Sequence, residues 1–497
     1  MVEHDFDQNR AMFGRVSASG AQARTSTLHG RSRRGSRAAL RRRASRIGLF
    51  PAVALALLAG LAVAFAAYTF LRRITPVDVT KTAAEIDVTR VALTVVAGVG
   101  GVVALVIAYR RQRDLEQSRF VERFGAAAAQ LGAPDVAVRI AGVYAMAGVA
   151  DESDGLRRQQ CVDVLCGYLR LPYDAEHGAS GRTKLVIKAP RIERGRVRGE
   201  TEEHIEYRQN DREVRATIVR VIADHLRPEA EYSWSTSNFD FRTAYLENAD
   251  FSQSIFSGVV RFEAATFSGD AAFGGATFRN YVAFRKATFS GFARFHRVTF
   301  GGGADFSGVV FAADAAFGGA TFTGEAAFGG ATFNGRAQFY KVVFGNYTAF
   351  GSATFTGTTE FEATTFTGTG DFSWATFNDV TRFEGTTFTK AKFERATFTG
   401  ITEFEATTFS GDADFHQATF TGATRFKSAF SGAVWFQGAS FSCISFAGTD
   451  FGSERVIFTR PRQWGPPPPE FDWAADGDRK PSNVEPADWP PTVVAAS

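Results

Sequence analysis

Over its 497 residues the chain has little of what most protein chemistry uses. There are three cysteines, Cys161, Cys166 and Cys443. The first two lie five apart on a predicted helix, which is neither a disulfide framework nor a zinc spacing. The pattern fits small buried hydrophobes in a reducing compartment. Seven histidines are scattered, and none forms a ligand pair. The glycines Gly98, Gly100 and Gly101 sit inside an apolar run. A dinucleotide turn instead needs a strand before it and a βαβ unit around it. These absences predict no cofactor, no metal and no catalytic residue, and argue against an enzyme.

What is abundant is phenylalanine. From about Phe241 to Phe451 one recurs every five or six residues. In register from Phe317 the chain reads GGATFTGEAAF, GGATFNGRAQF, YKVVFGNYTAF, GSATFTGTTEF, an eleven-residue unit of a five-step and a six-step. Phe317, Phe322, Phe328, Phe333, Phe339, Phe344, Phe350 and Phe355 follow this alternation. Two positions before each stands a small residue, such as Ala320, Ala326, Ala331 or Val342. A two-residue offset puts both side chains on one face of a strand, so large and small residues share an interior. Short-period self-similarity predicts stacked coils. The extra residue of the six-step falls at Ser268-Gly269, Thr323-Gly324, Asn334-Gly335 or Asn378-Asp379. It predicts a wider corner there, with positive φ. Between Phe388 and Phe393 the pair is Thr389-Lys390, and the step falls to five.

This pattern resembles the pentapeptide-repeat family, whose motif is a small residue, a polar one, a central Leu or Phe, then two polar ones. The first repeats match most closely: Ala244-Tyr245-Leu246, Ala249-Asp250-Phe251 and Ser254-Ile255-Phe256. The resemblance implies an all-β, right-handed quadrilateral β-helix with one repeat per side, spanning 236–459. Four sides then take about 22 residues, giving roughly ten coils and a rod of about 45–50 Å. Leu246, Phe251 and the eight phenylalanines named above are the expected repeat core.

Residues 47–71 and 91–109 are apolar runs of membrane-spanning length, since about 1.5 Å of rise per residue lets each cross about 30 Å. Arg31, Arg33, Arg34, Arg37, Arg41, Arg42, Arg43 and Arg46 precede the first, and Arg110, Arg111 and Arg113 follow the second. The expected topology is therefore a multi-pass cell-membrane protein with both termini cytoplasmic and 72–90 as a short outer loop. Residues 1–46 read as a basic disordered segment. Residues 110–235 read as a cytoplasmic helical domain: Arg110 to Leu131, a helix capped by Asp135, then Gln159 to Leu171 and Glu213 to Leu226. The charged stretch 173–203 reads as a loop, and the Pro-rich tail 460–497 as extended and disordered. The whole order resembles membrane-anchored pentapeptide-repeat proteins of actinobacteria.

Repeat carboxylates such as Glu360, Glu362, Glu403 and Glu405 sit at outward positions and read as solvated charge. Two functions are expected from different classes. One is a membrane-tethered scaffold for a cytoplasmic protein partner, with the lipid bilayer as its other contact and Lys390, Lys392 and Arg395 as a candidate surface. The other is the DNA mimicry of gyrase-protecting pentapeptide proteins, which needs stripes of one sign. Lys390, Lys392 and Arg395 near Glu384 and Glu394, and Arg285 and Lys286 near Asp270, give mixed sign instead. Nucleic acid is therefore disfavoured as a partner, and homo-oligomer formation is left open.

Overall fold

The computed structural model describes isolated residues between 62 and 73, then 83–175, 184–193, 196–206, 210–473 and 479–494. The basic segment 1–46 and almost all of 47–71 lie outside them. Helix α1, Ala83–Leu131, is continuous over 49 residues and contains the second apolar run. Among the described residues no helix is long and apolar enough to cross a membrane, and the first expected span, 47–71, lies almost wholly outside those residues. Charged residues close off the apolar stretch of α1 on both sides: Glu85, Asp87 and Arg90 before it, Arg110, Arg111 and Arg113 after it. The chain divides into two units, Met1–Arg119 and Phe120–Ser497, and the second holds both the helical block and the repeats.

The helical block opens that second unit. Helix α2 (Val136–Asp151) starts at Asp135, whose carboxylate accepts the amides of Ala137 and Val138. Such a cap satisfies two of the four amides a helix start leaves unpaired. Helices α3 (Leu156–Leu169) and α4 (Asp211–Leu226) follow. Phe120, Phe124 and Ala128 of α1 pack against the core, whereas Leu115 of the same predicted stripe is exposed. The stretch expected to be a loop differs: Lys184–Glu193 and Arg196–Glu206 pair as an antiparallel hairpin, β1 and β2. Its charges masked an alternation that includes Leu185, Ile187, Val197 and Ile205.

The three helices meet at one buried polar cluster. Arg139 donates to Asp211 at 2.7 Å and to the Tyr168 hydroxyl at 3.1 Å, and Tyr168 donates to Asp211 at 2.6 Å. Arg215 adds a 3.6 Å ion pair to Asp211 and donates to the Leu169 carbonyl. A buried charge is tolerable only when paired and hydrogen-bonded in this way. The block then closes the first coil of the repeat. Gln159 exchanges two 2.8 Å hydrogen bonds with the Asn238 backbone, Arg170 pairs with Asp240 at 2.6 Å, and Trp234 donates to Asp151 at 2.8 Å.

From Phe239 onward the chain is a parallel β-solenoid of about ten turns. One coil shows the plan. Its sides are 282–284 (side I), 287–289 (side II), 293–295 (side III) and 298–300 (side IV), after which Val282 pairs in parallel with Ala304. The offset from 282 to 304 is 22 residues, as the step lengths predict. Where a step shortens, the coil shortens with it. Along the pairing of 365–371 with 387–392, the offset falls from 22 (365 to 387) to 21 (369 to 390), at Thr389-Lys390.

The interior is four columns of stacked rings. Phe284 lies 4.8 Å over Phe306, nearly parallel at 7°, and the phenylalanines of opposite sides I and III interleave edge-to-face, as Phe284 does with Phe295 at 85°. Both are favoured aromatic geometries, worth about 0.5–1.5 kcal/mol per pair beyond the area buried. Leu246, Phe251 and the phenylalanines from Phe317 to Phe355 are all no more than 1 % exposed. Where Thr takes the small position its buried hydroxyl is satisfied: Thr386 donates to the Phe361 carbonyl at 2.6 Å and Thr407 to that of Phe383 at 2.8 Å.

The corners depart from expectation. Left-handed residues stand at the five-step corner, two after a Phe, as at Lys286 (φ 57°), Lys341 (φ 55°) and Trp374 (φ 62°). Most six-step glycines are not left-handed; Gly269 (φ 71°) is an exception. They are glycines because successive coils close to contact there. A Cβ on Gly324 would lie 2.5 Å from the Gly302 carbonyl oxygen, and one on Gly291 2.4 Å from the Gly269 carbonyl carbon.

The tail also departs from expectation. Each column ends under an aromatic side chain from beyond Phe458. Trp464 stands on Phe441 (5.5 Å), Phe471 on Phe446 (4.9 Å), Trp473 on Phe451 (5.6 Å) and Trp489 on Phe458 (5.8 Å). Strands Gln463–Trp464 and Val484–Glu485 extend the ladder. The segment is a cap that keeps the last coil from exposing its core. Its four aromatics follow no period, so no repeat pattern reveals it.

Candidate interaction surface

The solenoid sorts its outward residues by side. On sides I and III the residues flanking each Phe are often charged. On sides II and IV they are mostly Thr, Ser, Asn or Gly. The sorting arises because sides II and IV carry the Thr-Phe half of the unit and sides I and III the other half.

On side III, opposite charges occupy successive rungs. Arg382 lies between Glu360 (3.7 Å) and Glu403 (3.3 Å), Arg336 also pairs with Glu360, and Arg425 pairs with Glu405 at 3.1 Å. Glu360 is only 5 % exposed, so it is held between two guanidinium groups rather than solvated as expected. Asp270 pairs with Arg294 at 2.7 Å, and Arg285 pairs with Asp305 at 2.6 Å, because a ladder joins residues one coil apart. Burial pushes the Asp305 carboxyl up, but hydrogen bonds from Ser307 and Arg285 outweigh it and hold the group below its ordinary value.

Lys390, Lys392 and Arg395 come together on side I and its corners. Lys390 pairs with Asp412 at 3.5 Å, Arg395 donates to Gln417 at 2.7 Å, and Lys392 has Asp371 and Asp414 on the adjacent rungs. Glu394 is 3.9 Å from Arg395, whereas Glu384 belongs to side III. The residue that sequence reasoning passed over is Trp374. It occupies a left-handed corner where other coils place Gly, Lys, Arg, Ser, Ala, Thr or Gln. It remains 55 % exposed, and the Arg395 guanidinium lies 4.5 Å over its ring. Tyr347, 40 % exposed, lies one coil below and donates to Asp371 at 2.8 Å. A Trp at a position facing water was the available signal.

Elsewhere the chemistry is sparse. Burial pushes the Cys161 thiol up to about 11 and that of Cys166 to about 12, which leaves both inert. A shallow cleft between α3 and the first coils holds Arg170, Arg242 and Glu263, and Asp240 pairs with both arginines. Among the described residues no cluster of three or more His, Cys, Asp or Glu is arranged to hold a metal ion.

The geometry defines the class first: a four-sided parallel β-solenoid with stacked phenylalanine columns, capped at both ends. The family profile described as Pentapeptide repeats (9 copies) matches residues 241–286, 251–299, 273–321, 295–343 and 383–429. Matches and solenoid together support a pentapeptide-repeat protein. The ladder continues unbroken through the unmatched stretch 344–382. No curated protein and no solved structure matches the chain.

Proposed function

We propose that this protein is a protein–protein interaction scaffold that binds its partner along side I, with the Trp374–Arg395 pair as anchor. The carrying observation is the exposed Trp374 ring under Arg395 at one corner of side I, with Lys392 on that side and the half-exposed Tyr347 and Lys390 at its other corner. Trp, Tyr and Arg dominate the energetics of protein interfaces, and such clusters are uncommon on surfaces that contact only water. Solenoids present whole faces in this way and seldom carry chemistry. The alternating ion pairs of side III and the mixed charges of side I weigh against DNA mimicry, which calls for a stripe of one sign. We further infer that the apolar runs 47–71 and 91–109 tether the protein at the cell membrane with the solenoid on the cytoplasmic side. This rests on their length and Arg-rich flanks. Resistance of the full chain to alkaline extraction from membranes tests the tether.

The binding test is proximity labelling with the full chain, comparing wild type, Trp374→Ala with Arg395→Ala, and a control altered at Glu384 and Glu405 on side III. The side I pair should lower labelling of specific partners at least about tenfold, the effect of losing about 1.4 kcal/mol or more. Equal loss in the control, or inhibition of DNA supercoiling by the full chain that disappears when acidic residues are neutralised, would overturn the reading.

A further inference from the structure

Side II carries no charge over nine successive rungs. The residues before its phenylalanines are Thr266, Thr288, Val310, Thr332, Thr354, Thr376, Thr397, Thr419 and Ser440, joined rung to rung in parallel register. Those after them are Ser, Ala, Asn or Thr. The two rows differ in their hydroxyls. Thr356, Thr399 and Thr421, which follow a Phe, donate to carbonyls of the coil below at 3.0, 3.2 and 3.3 Å. The hydroxyls of Thr332, Thr354, Thr376, Thr397 and Thr419, which precede one, make no hydrogen bond among the described residues. A row of unengaged hydroxyls and methyls is thus held in one line. The rings beneath fix its spacing, at 4.8, 4.8, 4.9 and 5.0 Å from Phe333 up to Phe420.

We propose that side II is a self-association face, covered by side II of a second copy of this chain. Only a surface with the same repeat can stay in register over the whole length, and a second copy has that repeat by construction. A face without charge meets itself without repulsion, whereas the ladders of sides I and III would oppose like charges in many registers. Identical side chains on paired sheets interdigitate and exclude water, which is the packing of dry sheet-on-sheet interfaces. The geometry also sets the strength. Eight steps of about 4.8 Å and a side about 10 Å wide give roughly 400 Å² per partner. Stable dimers bury about 800 Å² per partner, so this pairing is weak and concentration-dependent.

The test uses the full chain, kept in detergent. In a Cys443→Ser background, Thr354→Cys places a thiol on the middle rung. A short bis-maleimide should join it to the same residue of another copy, and Glu384→Cys on side III should not cross-link. Two copies lying parallel would link through Thr288→Cys alone. Antiparallel copies would link only when Thr288→Cys is mixed with Thr419→Cys. Sedimentation velocity should show association rising up to about 0.1 mM, and Thr354→Lys with Thr376→Lys should weaken it at least about tenfold at unchanged melting temperature. A monomer at every concentration, equal cross-linking from side III, or association untouched by the two lysines would overturn the proposal.

Discussion

The helical block and the solenoid share one continuous hydrophobic core but specify it in opposite ways. The block depends on single events. Arg139, Tyr168, Asp211 and Arg215 come from three helices and occur once. The solenoid depends on repetition, with each Phe supported by the one a coil below and the one a coil above. Loss of one element should therefore be global in the block and local in the solenoid, where stability adds up coil by coil.

The largest effect should come from the solenoid interior. Phe333→Asp places an unpaired charge among rings that are no more than 1 % exposed. It should cost at least about 3–5 kcal/mol at its own coil. Hydrogen exchange should show protection lost in the flanking coils and kept in the helical block. Uniform loss across both regions would break the comparison.

Asp211→Ala should cost about 3–5 kcal/mol, because it removes the buried carboxylate with which both Arg139 and Arg215 pair. Here exchange should rise throughout α2, α3 and α4 together, and in the first coil they close. Protection near Phe420 should be unaffected.

The smallest effect sharpens the difference between the corners. Gly324→Ala drives a Cβ to 2.5 Å from a backbone oxygen and should lower stability by about 1–3 kcal/mol. Ala363→Gly, at a left-handed corner with φ 53°, should raise it by up to about 1 kcal/mol. Thermal melting of the two variants reads both signs. Equal effects would mean that the corners are alike after all.

Much of the solenoid was legible in the sequence because its constraint is local and repeated. A ring two residues after a small residue, every five or six positions, predicts the inward columns, the 22-residue coil and even the shortened coil at Thr389-Lys390. The candidate surface was legible only in part. Lys390, Lys392 and Arg395 do share a side, but Trp374 joins them through the coil offset of 21 residues that stacks Arg395 on it. Ion-pair partners follow the same offset, since in a ladder the neighbour lies one coil away and not beside a residue in the chain.

By itself the sequence determined the periodicity and the interior, because a strand commits alternate side chains to opposite faces wherever it lies. The tertiary structure alone decided the rest. It turned the six-step glycine from a conformational requirement into a contact requirement, and it held Glu360 between Arg336 and Arg382. It also brought Trp464, Phe471, Trp473 and Trp489 back over the four open columns. Each of these depends on which backbones meet after the coil has closed, and no local spacing encodes that meeting.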